Sequence, residues 1–328
     1  MTGNAMAEAL GDLNLSTRKL ALVLNGAAGK KDAHANEDKI RAALSPHVRE
    51  FVSYRVQNGS EIAQAAKRAA REGADVVLAL GGDGTQSAVA GALVGSDVIM
   101  AVLPGGTFNY FARELGVGET LDAALATLIS GQLRRIDVGD VNGRTFLNNA
   151  SFGVYPEILE RREAVYQRWG RSRIAAYWSV LLTLWDMRAP MQLKLTLDGK
   201  TGQYRTPLAF AARSAYQLES LGLEGAEAVR SGQMALFLAK GHRPRPLIAA
   251  AFRLAFGKVA RGQDFELLIA DEILIETRQP RRLLAFDGEK ERATGPFRLR
   301  VQRAALTVIV PAAVSENTVV PVAGATAA

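Results

Sequence analysis

A glycine-rich segment, Gly81–Thr85 (Gly-Gly-Asp-Gly-Thr), follows an apolar run typical of a buried strand and precedes residues that favour a helix. A strand that ends in glycines and turns directly into a helix leaves free backbone N–H groups at the helix start. These donors and the positive end of the helix dipole bind anions such as phosphate. Asp83 adds a carboxylate, which is expected to act through a metal ion or on a transferable proton. The structural alternative is a tight turn without a ligand.

Two further loops are predicted at the same edge of the sheet. One is the segment from Asn25 to Lys30, which contains Gly26 and Gly29. The other is Pro104-Gly105-Gly106-Thr107, in which the hydroxyl of Thr107 can reach a phosphate. Each loop is also compatible with an ordinary strand-to-helix turn. Neighbouring loops at the carboxyl ends of parallel strands are, however, well placed to hold one nucleotide. The chain contains neither a Walker A loop nor a Rossmann fingerprint nor protein-kinase motifs.

A pair of acids, Asp287 and Glu289, flanks Gly288 in the second half of the chain. By itself this segment predicts a β-turn with surface carboxylates. Across a cleft from Asp83, one of these acids would supply the carboxylate that accepts a proton from a hydroxyl group. In phosphoryl transfer the protein positions the nucleophile, and magnesium offsets the charge of the phosphates.

The composition excludes several classes of protein. The chain has 328 residues, of which 48% are hydrophobic, and it lacks cysteine, which excludes disulfides and zinc–thiolate sites. Its net charge of +7 favours anionic partners without choosing among them. No recognised nucleic-acid module is present, so nucleic-acid binding is not expected. No apolar run is long enough to span a bilayer and no secretory signal is visible, so a cytoplasmic location is expected.

The elements that position these residues change character once along the chain. In the first half apolar strands alternate with amphipathic helices, which predicts an α/β domain with a parallel sheet. From about Arg134 the pattern becomes antiparallel β, with hairpin signals at Asn142-Gly143 and Asp198-Gly199. This half is predicted to be a β-sandwich with helical inserts. The expected division is a flexible tail at 1–17, the α/β domain at 18–133, the β domain at 134–310 and a second tail at 311–328.

Two inserts in the predicted β domain are basic and aromatic, at residues 156–187 and 244–261. The first contains Arg168, Arg171, Trp169 and Trp178 among others. Arginines beside amphipathic aromatic rings favour contact with lipid headgroups. The alternative is a charged helix whose aromatic face packs on its own domain. An edge strand of the β domain would also allow a homodimer.

The ordered set of these motifs resembles the diacylglycerol kinase catalytic-domain family, the bacterial diacylglycerol and sphingosine kinase-like lipid kinases. The similarity runs through the three glycine loops, the stretch Asn148–Gly153 and the segment Asp287–Glu289. It implies a NAD-kinase-like and diacylglycerol-kinase-like α/β domain joined to a β-sandwich, with ATP in the cleft. Two positions differ from the family. This chain has Gln86-Ser87 where many members have Asn-Glu, and it has Tyr110 after Asn109 where many members have Asp.

The resemblance also implies roles for individual residues. Glu289 would be the general base, and Asp83 and Asp287 would assist through magnesium or the acceptor hydroxyl, with Asp83 as the metal ligand. The residues expected to hold the nucleotide are Asn25, Gly26, Gly29, Gly81, Gly82, Gly84, Thr85, Thr107 and Asn109.

The implied activity is an ATP-dependent lipid kinase that phosphorylates the hydroxyl of a membrane lipid such as diacylglycerol or a sphingoid base. ATP and magnesium are the expected cofactors, and the enzyme would work peripherally at the inner membrane face. Two alternatives remain open from the residues. One is a kinase for a soluble substrate, similar to NAD kinase, and the other is a non-catalytic regulator that binds lipid or nucleotide.

Overall fold

The computed structural model describes residues 9–25, 30–154, 156–157, 190–240, 249 and 264–312. The predicted inserts at 156–187 and 244–261 therefore lie almost entirely outside the described residues, as do Gly26 and Gly29. The predicted class, an α/β part followed by an antiparallel β part, is confirmed.

Among the described residues, the first part of the chain forms four parallel strands and five α-helices. Their continuous apolar sequences suit strands that are buried on both faces. The strands are β2 (Lys19–Asn25), β3 (Glu50–Val56), β4 (Val76–Gly81) and β5 (Ile99–Pro104), with β1 (Ala9–Asp12) preceding them. The helices are α1 (Lys30–Leu44), α2 (Ile62–Arg71), α3 (Asp83–Leu93), α4 (Tyr110–Leu115) and α5 (Leu121–Ser130).

The parallel strands lie in the order β5-β4-β2-β3 and carry a core on each face. Side chains alternate along each strand, so Ala21 and Val23 contribute to one core while Leu22 and Leu24 contribute to the other. The carboxyl ends of β2, β4 and β5 consequently share one edge of the sheet, and the sequence predicts a glycine loop after each of these strands.

The second part of the chain is antiparallel. Its strands are β6 (Gln132–Val141), β7 (Arg144–Phe146), β8 (Asn149–Gly153), β9 (Met191–Leu197), β10 (Lys200–Thr206), β11 (Leu208–Ala212), β12 (Met234–Ala239), β13 (Phe265–Ala270), β14 (Glu272–Thr277), β15 (Arg281–Phe286), β16 (Glu289–Thr294) and β17 (Phe297–Val310). Two short helices, α6 (Ala215–Ser220) and α7 (Ala226–Arg230), lie between β11 and β12.

Two sheets face each other across a shared apolar core, which forms the predicted sandwich. One sheet has the order β13-β12-β11-β8-β15-β16, and the other continues from β10, β9, β14 and β17 into the parallel strands. Phe152 from the first sheet packs against Phe297 from the second, with ring centroids 4.9 Å apart. The predicted hairpins are confirmed, because Asn142-Gly143 and Asp198-Gly199 both have the positive φ values of a type I′ turn.

The long strand β17 connects the two parts of the molecule. Its first half contributes Phe297 to the sandwich core, whereas Leu306 and Val310 belong to a core of the parallel sheet. Val308 pairs in parallel with Met100 of β5. The end of β17 therefore belongs to the sheet of the α/β part, although the sequence predicts it as the end of the β domain at 134–310.

The expected flexible tail at 1–17 needs correction for its second half. Residues 9–12 form β1 and pair with β6, and Leu15 is buried in a core of the parallel sheet. The small and polar residues of this segment show no period, which led to the wrong expectation. Pairing with an existing strand edge and burial of one leucine are enough to order it.

Candidate active site

The phosphate-binding geometry expected at Gly81–Thr85 is present in the backbone. β4 ends at Gly81, Gly82 is the N-cap of α3 in an extended conformation, and Asp83 is the first helical residue. Gly82 has no side chain with which to cap this helix end. The first N–H groups of a helix have no acceptor within it, and the dipole makes this end positive. The start of α3 therefore suits a phosphate.

The loops after β4 and β5 pack backbone against backbone. The N–H of Gly105 donates to the carbonyl of Gly81 at 3.0 Å. A Cβ added to Gly106 would lie 2.5 Å from the Cα of Gly82, and one added to Gly82 would lie 3.1 Å from the Cα of Gly106. The distance at Gly106 leaves no room for a Cβ, and the distance at Gly82 would require the facing backbone to shift. The glycines are therefore required for the approach of the two loops, independently of any ligand.

Asn109 maintains the shape of the second loop. Its Oδ1 accepts from the N–H of Gly106 at 2.8 Å, and its Nδ2 donates to the carbonyl of Gly106 at 2.9 Å. The residue is buried and has a φ of +51°, a conformation that Asn adopts more readily than most residues. It is also the N-cap residue of α4, whereas Thr107 is exposed in the loop. The side chain of Asn109 is thus engaged with its own loop.

Asp83 connects three elements at the start of α3. Its Oδ1 accepts from the N–H of Phe111 in α4 at 3.1 Å and from Nδ2 of Asn148 at 3.2 Å. The hydrogen bonds that Asp83 makes with described residues all fall on this oxygen. The carboxylate is thereby oriented by a helix of the α/β part and by a side chain that precedes β8.

Asp287 is buried and its carboxylate faces the protein interior. It lies in a type I′ turn between β15 and β16 with a φ of +48°. One oxygen accepts from the N–H of Leu147 at 2.6 Å, and the other accepts from Asn148 at 2.8 Å and Asn149 at 3.0 Å. Burial raises the pKa of Asp287 to about 6, although these hydrogen bonds and one with Ser87 act in the opposite direction. This carboxylate fixes the hairpin to the segment between β7 and β8.

Glu289, two residues further on, is exposed at the start of β16. Its Oε1 lies 2.8 Å from the position that a Cβ on Gly84 would occupy. The carboxylate thus lies directly over the first turn of α3. The structure brings the predicted acid from the β part to the predicted glycine loop, and Gly84 leaves the space for it.

Several polar residues contribute to this site beyond those selected from the sequence. Asn148 orients Asp83, Ser87 contacts Asp287, and Gln86 donates from its buried side chain to the carbonyl of Gly81 at 2.9 Å. Asn148 lies in a stretch quoted for the family resemblance, and Gln86 and Ser87 were noted only as departures. A sequence signal for such residues is a polar side chain within an otherwise apolar helix face or strand, because buried polar groups require hydrogen-bond partners.

The donor set is compatible with magnesium coordinated mainly by phosphate oxygens. The described residues contain no group of three or more His, Cys, Asp or Glu side chains that would enclose a metal ion. Magnesium is commonly held by one or two carboxylates together with substrate phosphates and water. Asp83 is the first residue of α3 and Glu289 lies over Gly84, so carboxylates of the kind that this coordination uses are present at the start of α3. The carboxylate of Asp287 does not, because it is engaged with three backbone N–H groups.

Asn25 ends β2 at the same sheet edge, and its Nδ2 lies 4.0 Å from the position of a Cβ on Gly59. The expected nucleotide contacts of Gly26 and Gly29 lie outside the described residues. In the part of the chain that the structure describes, no helix is long and apolar enough to cross a membrane.

Comparison with known proteins shows which proteins this region is similar to. The model of the diacylglycerol kinase catalytic domain matches residues 19–141. Residues 19–141 are therefore similar in sequence to the diacylglycerol kinase catalytic domain. The stretch includes the loops after β2, β4 and β5 and ends at the last residue of β6. The resemblance inferred from the motifs is thereby confirmed.

Individual relatives support the same assignment. A diacylglycerol kinase of Bacillus subtilis is 31% identical over 142 residues, which cover 42% of this chain and 46% of that protein. A diacylglycerol kinase of Staphylococcus aureus is 27% identical over 143 residues, or 43% of this chain and 45% of that protein. The chain thus spans about half the length of these relatives.

The similarity of the fold extends further than the similarity of the sequence. The crystal structure of a diacylglycerol kinase from Bacillus anthracis superposes with a TM-score of 0.67 at 22% identity. The alignment covers 89% of this chain and 97% of that chain. The two proteins therefore share their fold over both the α/β part and the β part of this chain.

Proposed function

We propose that this chain is an ATP-dependent lipid kinase that transfers the γ-phosphate of ATP to the hydroxyl of a membrane lipid alcohol, such as diacylglycerol or a sphingoid base. One observation carries the proposal: the exposed carboxylate of Glu289 lies over Gly84 at the start of α3, where the N-cap residue is a glycine. A helix end that suits phosphate and a carboxylate available for a hydroxyl proton are the two parts that phosphoryl transfer requires.

On the nucleotide side, the proposed phosphate contacts are backbone N–H groups from Gly82 to Thr85, with the loops at Asn25 and Thr107 flanking them. The packing of Gly82 against Gly106 supports this assignment, because it exposes backbone rather than side chains at the start of α3. Asn109 shapes this loop through Gly106, and we assign it a positioning role.

On the acceptor side, Glu289 accepts the proton of the lipid hydroxyl as its oxygen attacks the γ-phosphorus. The new bond joins the acceptor oxygen to phosphorus, and the bond from phosphorus to the bridging oxygen breaks, which releases ADP. The proton on Glu289 then passes to solvent, to which this side chain is exposed. Asp287 takes no part in proton transfer; it positions the hairpin through the backbone of residues 147–149.

Magnesium, when bound with ATP, offsets the charge of the phosphates during transfer. Asp83 is the proposed ligand. Its Oδ1 is oriented by the N–H of Phe111 and by Asn148, so its position does not depend on the ion.

The proposed division of labour follows the two parts of the chain, with ATP bound by residues 18–133 and the lipid bound by residues 134–310. The catalytic-domain match at 19–141 and the origin of Glu289 in the β part support it. We also propose peripheral attachment at the inner membrane face through the arginines and tryptophans of residues 156–187, on the basis of their sequence. A homodimer through an edge strand stays a prediction.

The decisive experiment incubates the protein with radiolabelled ATP, magnesium and a total lipid extract, followed by identification of the labelled product. We expect one labelled lipid class and no labelled product with NAD as acceptor. Labelled NADP would favour the soluble-substrate alternative. Vesicle binding without any turnover across the extract would favour a non-catalytic regulator.

A further inference from the structure

Glu114 of α4 is hydrogen-bonded to the start of α6, although the two helices belong to different parts of the molecule. Its Oε2 accepts from the Oγ of Ser214 at 2.7 Å and from the N–H of Tyr216 at 2.6 Å. Ser214 is the N-cap residue of α6, and its Oγ accepts from the N–H of Gln217. The first N–H groups of a helix have no acceptor within it, and a carboxylate is a strong one. Glu114 therefore completes the start of a helix that lies about 100 positions later in the chain.

Other side chains of α4 reach α6 as well. Arg113 donates to the hydroxyl of Tyr216 at 2.9 Å, and Tyr110 forms a hydrogen bond with Ser220. Glu114 differs from both because it bonds at once to the cap residue and to the backbone of α6. Loss of its carboxylate would therefore loosen the start of α6, while the other contacts between the two helices would persist.

Two donors orient the carboxylate of Asp83, and they come from different parts of the molecule. The N–H of Phe111 belongs to α4, whereas the Nδ2 of Asn148 precedes β8. Both donate to Oδ1 of Asp83, at 3.1 and 3.2 Å. The direction of this carboxylate is thus set by the place where α4 meets the segment before β8. A shift of either donor would turn it.

Ser214 links these two donors. Its side chain is bonded to Glu114 on α4, the helix that carries the N–H of Phe111. Its backbone N–H donates to the carbonyl of Asn148 at 3.2 Å. Ser214 is 1% exposed, so water does not readily replace these bonds. The bond between Glu114 and Ser214 therefore closes a ring of contacts that runs through α4, Asp83, Asn148 and the start of α6.

We propose that Glu114 is a positioning residue for Asp83: by holding α4 to the start of α6, it keeps both donors on the carboxylate oxygen. This inference rests on the proposed function, in which Asp83 is the magnesium ligand. Glu114 acts through Phe111 and Asn148 and is assigned no contact with ATP or the acceptor. Its loss should weaken the binding of magnesium-ATP and leave the binding of free ATP unchanged, because the backbone N–H groups at the start of α3 do not depend on it.

The test measures the dissociation constant of ATP by calorimetry, with magnesium and again with EDTA, for wild type, Glu114→Ala and Glu114→Gln. We expect magnesium-ATP to bind about tenfold more weakly to Glu114→Ala, a loss comparable to that of one hydrogen bond, and free ATP to bind as in wild type. Glu114→Gln should recover most of the loss, because its amide oxygen can still accept both hydrogen bonds.

The matched control is Glu119→Ala. It removes an exposed ion pair with Arg113 at 2.9 Å and leaves both hydrogen bonds of Glu114 in place. Surface ion pairs contribute little, so this variant should bind ATP as the wild type does under both conditions.

A second comparison shows whether Glu114 acts through Asp83. In the Asp83→Asn background, Glu114→Ala should weaken the binding of magnesium-ATP no further, because the group that Glu114 positions has already lost its charge. Losses that add in the double variant would mean that Glu114 acts by another route, and they overturn the inference.

The remaining outcomes separate the inference from the proposed function. An unchanged affinity of Glu114→Ala for magnesium-ATP overturns the inference, as does an equal loss with magnesium and with EDTA; either result leaves the lipid kinase proposal intact. If Glu114→Ala does not fold, Glu114→Asp, which keeps the charge on a shorter side chain, is measured in its place by the same criteria. If the wild type binds magnesium-ATP but phosphorylates no lipid, the lipid kinase proposal fails and these constants still decide the inference. A wild type that does not bind magnesium-ATP overturns both.

Discussion

The glycine loops after β4 and β5 and the acidic hairpin between β15 and β16 meet at the start of α3, yet they contribute in different ways. The loops contribute backbone: Gly106 approaches Gly82 so closely that Gly106 cannot carry a side chain. The hairpin contributes carboxylates, and two acids separated by one residue have different surroundings. Asp287 is buried against backbone N–H groups, whereas Glu289 is exposed over Gly84.

This difference shows which kind of change each side tolerates. On the glycine side an added methyl group meets backbone that cannot move, so the cost appears in stability and activity together. On the acidic side the fold depends on Asp287 and the proposed chemistry depends on Glu289. Removal of Asp287 should therefore change the stability of the fold, whereas removal of Glu289 should change the activity and leave the stability unchanged.

The largest effect is expected from Glu289→Ala. Loss of a general base lowers kcat by about 10²- to 10⁴-fold, while the exposed position of Glu289 predicts an unchanged melting temperature. Steady-state kinetics and thermal unfolding measure the two quantities. The matched control is Glu291→Ala on the same strand, which removes a surface ion pair with Arg144 and should leave kcat unchanged. Full activity of Glu289→Ala would remove Glu289 from the role of base.

Gly106→Ala tests the contact between the two loops. Its Cβ would lie 2.5 Å from the Cα of Gly82, so we expect a loss of about 3 kcal/mol in the free energy of unfolding, at the upper end of overpacking costs, together with loss of ATP binding. Gly91→Ala in α3 is the control. Its Cβ would lie 3.5 Å from Thr145, an ordinary contact, and alanine favours a helix by about 1 kcal/mol. Equal stability of the two variants would contradict the close approach.

Asp287 predicts a pH dependence of stability. Its pKa is raised from 3.8 to about 6, so the folded state retains a proton that the unfolded state releases. Its contribution is fully present below about pH 4 and is lost as the pH rises through about 6, a change of about 3 kcal/mol. Asn at this position does not titrate. The free energy of unfolding of wild type minus that of Asp287→Asn should therefore decrease between pH 4 and pH 7, as measured by denaturant titration. A difference that stays constant over this range would disprove the raised pKa.

The smallest effect is expected from Gly84→Ala. The added Cβ would lie 2.8 Å from Oε1 of Glu289, and a flexible side chain can move away from it. The fold should persist while the base is displaced, which predicts a fall of about tenfold in kcat with an unchanged melting temperature. Gly91→Ala, seven residues along the same helix, again serves as the control. An unaltered kcat would show that the orientation of Glu289 over α3 is unimportant.

The sequence was most informative where backbone conformation is dictated by residue type. Glycines after apolar strands predicted the loops at Gly81 and Gly105, and Asn-Gly and Asp-Gly pairs predicted two type I′ hairpins. The turn at Asp287-Gly288 belongs to the same class, yet the sequence suggested surface acids there. Burial of Asp287 depends on the N–H groups of residues 147–149, which lie about 140 positions earlier in the chain.

The sequence by itself determined the α/β part with its glycine loops, the antiparallel part and the motifs of the diacylglycerol kinase catalytic-domain family, because these follow from local periodicity and from residues with special backbone freedom. Only the tertiary structure decided which acid is available and which is buried, that Asn148 orients Asp83, and that β17 completes the parallel sheet. These features arise from contacts between distant segments. Such contacts leave no periodic signal in the residues that make them.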